Sequence, residues 1–183
     1  MFDIVMIGSS IFEFWRQPKW GEMTIANHAL RGTQSQDWLT RANEGQLKLP
    51  CARHILVYCG SNDLIYGHCP TDIVNNVCAL LETLSQLYPN THIGYFSIML
   101  CPQKVVAGQQ KIINDINQRI KKYCYEPVRS EKYRYFHFND FIENEASWFV
   151  EDGLHLTQSA YLMLDKKLGA VMKSWLACPA LVK

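Results

Sequence analysis

Two adjacent serines, Ser9 and Ser10, follow the apolar run Ile4-Val5-Met6-Ile7-Gly8 close to the N-terminus. A serine hydroxyl is a weak nucleophile at neutral pH. It gains reactivity when an imidazole takes its proton and a carboxylate holds that imidazole in one tautomer. Asp152-Gly153-Leu154-His155 supplies such a pair, because a spacing of three lets one turn of chain set the carboxylate against the ring nitrogen that faces away from the serine. Acyl transfer also needs donors fixed in advance where negative charge develops on the carbonyl oxygen. Three are available: a backbone N–H at the serines, the N–H of Gly32 in Arg31-Gly32-Thr33, and the side-chain amide of Asn62 in Gly60-Ser61-Asn62-Asp63. Gly32 has no Cβ, so its amide can approach a substrate closely.

These residues act together only if the chain brings them to one place, and the hydrophobic pattern says how. Strand signals lie before Gly8, over 24–30, over His54–Cys59, over His92–Met99 and over Tyr133–Phe138. Between them run helical periods: 34–43, a stripe from Thr71 as N-cap through Ile73, Val74, Val77, Leu80, Leu81, Leu84 and Leu87, and a second over 109–123 on Ile112, Ile113, Ile116 and Ile120. Thr157 caps a last helix with Ala160, Tyr161, Leu164, Leu168, Val171 and Trp175 on one side. Alternating strands and helices predict βαβ units, a mostly parallel sheet covered on both faces, and a ligand site beyond the carboxyl ends of the strands. The serines, Gly32, Asn62 and the Asp152–His155 segment all fall in post-strand loops. No repeat, linker or low-complexity tract interrupts residues 1–183, which read as a single domain.

At this point the sequence resembles the SGNH hydrolases, the GDSL lipase and acylhydrolase group, over nearly its whole length. The family's Gly-Asp-Ser block is matched by Gly8-Ser9-Ser10, its Asn-x-x-x-x-Gly block by Asn27-His28-Ala29-Leu30-Arg31-Gly32, its Gly-x-Asn-Asp block in full by Gly60-Ser61-Asn62-Asp63, and its Asp-x-x-His block by Asp152-Gly153-Leu154-His155. The resemblance implies a three-layer α/β/α sandwich, flavodoxin-like, with a five-stranded parallel sheet. It makes Ser10 the nucleophile with His155 and Asp152, and Ser10, Gly32 and Asn62 the oxyanion hole. The reaction it implies is hydrolysis of an ester or thioester with no metal and no cofactor. Ser9 stands where the family has an aspartate, which changes the hydrogen bonding beside the nucleophile.

Rival readings are weaker. Lys and Arg number 18 against 17 Asp and Glu, so there is no basic footprint for nucleic acid, and no Lys/Arg cluster suggests a membrane surface. The first apolar stretch is too short for a signal peptide or a membrane span, and the seven irregularly spaced cysteines fit reduced thiols, so the expected location is cytoplasmic. Cys59 ends an apolar run and is expected to point into the core rather than to act as a nucleophile. Trp15, Tyr66 and Trp148, with Trp20, His68 and Phe149, fall in loops expected to border the site, where they would line a substrate pocket. The short loops favour a small-molecule ester with a short acyl group. Two alternatives stand beside this: a thioesterase or lysophospholipase acting on longer chains, and a binding module that has lost activity, for which Ser9 is the hint. Homo-oligomer formation is not readable from the chain.

Overall fold

The computed structural model describes residues 1–143 and 145–177. Its centre is a sheet of five parallel strands in the order β2-β1-β3-β4-β5, made of β1 (Phe2–Gly8), β2 (Ile25–Asn27), β3 (Ala52–Tyr58), β4 (His92–Phe96) and β5 (Tyr133–Phe136). Successive side chains of a strand point to opposite faces, and here both faces are apolar. Ile4, Met6, Leu56, Tyr58, Phe96 and Phe136 belong to one buried cluster. Val5, Ile7, Ile55, Val57, Ile93, Tyr95 and Tyr135 belong to the other. A parallel sheet buried on both sides needs continuous runs of this kind.

The second cluster is closed by α2 (Ser35–Asn43), α4 (Pro70–Leu87) and α6 (Gln110–Cys124), through Trp38, Val77, Leu80, Leu84, Ile113, Ile116 and Ile120. The first is closed by the short helix α1 (Ser10–Phe14) and by α7 (Gln158–Leu176), through Ile11, Phe12, Leu164, Leu168 and Met172. These layers are the expected α/β/α sandwich. Gly94 in β4 shows how tightly α7 seats: a Cβ there would fall 2.8 Å from the Trp175 ring and 2.7 Å from Leu56.

Several boundaries differ from expectation. α4 begins at Pro70, not after Thr71, because a proline at the first helical position loses no hydrogen bond. Leu87 and Ile112, expected in buried stripes, are exposed. β2 is three residues long rather than seven. The Asn27 side chain accepts from the Ala29 N–H at 3.0 Å and turns the chain, although His28 and Leu30 still donate to Met6 and Gly8 of β1. Pro102 opens α5 (Pro102–Val106), and Ser61 opens α3 (Ser61–Ile65), two short helices with no counterpart in the sequence pattern. Among the described residues no helix is long and apolar enough to cross a membrane, and the six described cysteines are unpaired.

Candidate active site

The strand order reverses between β1 and β3, and crevices form at such a switch beyond the strand ends. β1 ends at Gly8, whose φ is 142° and where a Cβ would lie 2.0 Å from the Tyr58 carbonyl oxygen of β3. Only glycine permits that approach. It lets the Ser9 N–H donate to Tyr58 at 2.9 Å and turns the chain at once into α1. Ser9 is buried as the residue before the helix, with no side-chain cap hydrogen bond. Ser10, the first residue of α1, carries the hydroxyl that faces the site.

His155 arrives from the far end of the sequence on a loop that folds back on itself. Phe149 and Leu156 form an antiparallel bridge. Val150 donates to His155 O and Thr157 to Trp148 O, both at 2.9 Å. Gln103, at the start of α5, donates to Gly153 O at 3.0 Å and pins the tip of that loop. Within it, Asp152 Oδ1 accepts the N–H groups of Leu154 and His155 at 2.8 and 2.9 Å, while Oδ2 lies 2.6 Å from His155 Nδ1. An ionised carboxylate only accepts, so Nδ1 carries the proton and Nε2 is left as an acceptor. Nε2 lies 2.9 Å from Ser10 Oγ. Burial pushes the Asp152 carboxyl up, but the backbone N–H of His155, its imidazole and the Leu154 N–H outweigh it and hold the group below its usual value. Asp152 is therefore ionised at neutral pH. The Phe14 ring meets the His155 ring edge-on at 5.1 Å, which limits how the imidazole can turn.

The expected oxyanion donors come from three loops. Among the described residues the N–H groups of Ser10 and Gly32 enter no hydrogen bond with the chain. Gly32 has a φ of 77°. Asn62, in the first turn of α3, gives one amide hydrogen to Thr33 O at 2.9 Å, which fixes the side chain and leaves its other hydrogen available. Thr33 is held in turn: its hydroxyl donates to Leu30 O at 2.7 Å and accepts the Trp38 indole N–H at 2.9 Å. Asp63 braces the same junction, accepting the N–H and the hydroxyl of Ser35. Asn27 ties the Gly32 loop to α1 by donating to Phe12 O and Trp15 O at 2.6 and 3.0 Å. A hydroxyl, an imidazole and a carboxylate in line beside such donors are equipped for acyl transfer.

The expected pocket aromatics fare differently. Trp15 is only 2% exposed and its indole donates to Asp165 Oδ1 at 2.9 Å, while Trp148 is 3% exposed. Trp20 and Phe149 are buried as well. These side chains pack into the core, because the loops that carry them fold down onto the sheet, and Trp15 also borders a cavity at the end of α1. Tyr66 remains at the edge, 64% exposed at the end of α3. Cys59 is fully buried, and burial raises its thiol far above the usual range, so it supplies no thiolate.

Sequence reasoning missed Lys104 of α5, a lysine only 1% exposed whose ammonium donates to Ser61 O at 3.1 Å, one residue before Asn62. Burial lowers its affinity for the proton. The signal was faint: one lysine in Pro102-Gln103-Lys104-Val105-Val106, a segment too short to show a period. Phe14 was missed for the same reason.

Residues 8–162 match the GDSL-like lipase/acylhydrolase family, and the chain belongs to it, in the class of ester-bond hydrolases. Three solved structures share the fold. One is a Streptococcus pneumonia protein described as a platelet activating factor, with 22% identity, 93% of this chain and 83% of that one covered, and a TM-score of 0.76. The second is a GDSL-like lipase of Bacteroides thetaiotaomicron, with 18% identity, 94% and 88% covered, and a TM-score of 0.73. The third is the psychrotrophic esterase EstA of a Pseudoalteromonas species, with 18% identity, 96% and 99% covered, and a TM-score of 0.69. A curated relative, the N-acylneuraminate cytidylyltransferase of Escherichia coli O18:K1:H7, is 21% identical over 175 residues; these span 93% of this chain but 40% of that protein.

Proposed function

We propose that residues 1–183 form one serine esterase domain acting on small esters with a short acyl group. The observation that carries this reading is the line from Ser10 Oγ through His155 Nε2 at 2.9 Å to Asp152 Oδ2 at 2.6 Å from Nδ1. Ser10 Oγ attacks the ester carbonyl as its proton passes to His155 Nε2. The oxyanion is met by the N–H groups of Ser10 and Gly32 and by the free amide hydrogen of Asn62. The tetrahedral adduct collapses, His155 protonates the departing alcohol, and an acyl-serine remains. Water then gives its proton to His155 as it attacks the acyl-serine; the second tetrahedral adduct collapses, His155 returns the proton to Ser10 Oγ, and the acid leaves. Asp152 stays ionised throughout, orienting the ring and stabilising the imidazolium.

Burial of Trp148 and Phe149 supports the short acyl group, since neither offers a wall to a long chain. The partial relative is named for an N-acylated sugar acid, which favours an O-acyl sugar over a lipid as the alcohol portion. Turnover of p-nitrophenyl esters from acetate to palmitate tests the reading. Expected is fastest turnover of acetate with steep loss as the chain lengthens. A preference for long acyl groups overturns the short-acyl part, and no turnover of any ester overturns the esterase.

A further inference from the structure

A cavity of about 300 Å³ opens at the C-terminal end of α1, with the Phe14 side chain between it and His155. Phe14, whose ring rests on His155, forms part of its wall, and so does Gln158, three residues after His155. Trp15 and Asp165 lie in the wall as well, and the Asp165 carboxylate is turned to the Trp15 indole at 2.9 Å. The remaining charge in the wall is basic: Arg16 and Lys19, both exposed. Neither forms an ion pair among the described residues, unlike Arg31 with Glu13, Arg53 with Asp3 or Lys167 with Glu143. Two unpaired cations therefore face a space one short helix away from the serine hydroxyl. From Ser10 to Phe14 the helix rises about 6 Å over four steps of 1.5 Å, the scale of one small ring, and Arg16 and Lys19 follow in the loop just beyond it.

We propose that this cavity binds an oxyanion, a carboxylate or a phosphate, carried on the alcohol portion of the ester, with Arg16 and Lys19 as its partners. The inference rests on the esterase reading and deepens it: the acyl group sits over Ser10 while the alcohol portion crosses the Phe14 ring and sets its charge against the two cations. Arginine suits the task through its planar fork of donors, and lysine as a point charge. Two cations stand in the wall against the one Asp165 carboxylate, one oxygen of which is held by the Trp15 indole N–H.

The test compares three acetate esters: phenyl acetate, 4-acetoxybenzoate and 4-acetoxyphenyl phosphate. The wild-type protein is expected to show a kcat/KM at least about tenfold higher for one or both anionic esters than for phenyl acetate, with the preference shrinking as salt screens the charges. Which anionic ester leads distinguishes carboxylate from phosphate. In the R16Q/K19Q variant the anionic esters should lose about tenfold or more, mainly through KM, while phenyl acetate turnover is unchanged. Equal rates for charged and neutral esters in the wild type, or an equal loss on all three in the variant, overturn the proposal. Failure of the wild type to hydrolyse phenyl acetate as well strikes the esterase reading instead. The cavity is then judged by calorimetric binding of 4-hydroxybenzoate and inorganic phosphate. Binding that R16Q/K19Q abolishes supports it, and no binding overturns it.

Discussion

Replacing Asp152 by asparagine separates two jobs that one carboxylate performs. Oδ1 accepts the N–H groups of Leu154 and His155, which shape the loop, and Oδ2 accepts from His155 Nδ1 at 2.6 Å. In Asp152→Asn the amide oxygen can keep both backbone donors, so the loop holds. The amide nitrogen then faces Nδ1 and donates to it. The proton moves to Nε2, which now donates toward Ser10 Oγ and cannot accept its proton. Loss of the correct tautomer in a serine–histidine–aspartate site costs about 10⁴-fold in kcat, so turnover of p-nitrophenyl acetate should fall by that order with the melting temperature nearly unchanged. Asp152→Ala removes both jobs. It should lose comparable activity and also about 1–2 kcal/mol of stability for the abandoned N–H groups, at the low end because the site is partly exposed and water replaces part of the bonding. Asp152→Asn retaining more than about a tenth of wild-type turnover would refute the assignment of Asp152 as the group that sets the tautomer.

Asn62→Ala removes an oxyanion donor and should lower kcat by about 10²- to 10³-fold with KM little changed, measured on p-nitrophenyl acetate; a loss confined to KM would place Asn62 in ground-state binding. Gly8→Ala should destabilise the fold by about 3 kcal/mol or more or prevent expression, because its Cβ would lie 2.0 Å from the Tyr58 carbonyl oxygen at a φ of 142°. At the opposite end of the sheet, His54 is 1% exposed, with Trp175 edge-on at 4.2 Å and His92 stacked at 5.1 Å. Burial foremost, then the neighbouring His92 and Arg53, lower its pKa from 6.5 to about 4. A lowered pKa means the unfolded chain takes the proton first. His54 therefore contributes fully above pH 6.5 and costs the fold about 3 kcal/mol as pH falls toward about 4. Urea denaturation across that range should show the slope, and His54→Leu should flatten it; an unchanged slope would assign the acid sensitivity to other groups.

Strong local signals are legible in the sequence alone. The α4 stripe and the β3 run announce themselves because burial on one or two faces imposes a period that survives in one sequence. The four site segments are legible for a related reason: three follow a strand and the fourth leads into α7, and chemistry restricts which residues can stand there. Much of the supporting structure is not. α1, α3 and α5 are five residues each, too short to complete two turns of a pattern, yet they carry Ser10, Asn62 and Lys104. Whether Trp15 and Trp148 meet substrate or core depends on how their loops fold onto the sheet, through contacts such as Trp15 to Asp165, 150 residues away. The loop position of Asp63 suggests a brace, and its hydrogen bonds to Ser35 fit that role. Its partner is not foreseeable, because the contact joins two loops that follow different strands.

Everything proposed for the reaction depends on Ser10, and not its neighbour, being the nucleophile. Ser10 Oγ lies 2.9 Å from His155 Nε2, whereas Ser9 is buried beneath the start of α1. The direct measurement is mass-spectrometric mapping of a fluorophosphonate adduct on the wild-type protein and on Ser10→Ala and Ser9→Ala. One adduct on Ser10, absent in Ser10→Ala and kept in Ser9→Ala, is the result expected. An adduct on Ser9, or ester turnover that survives Ser10→Ala, would contradict it.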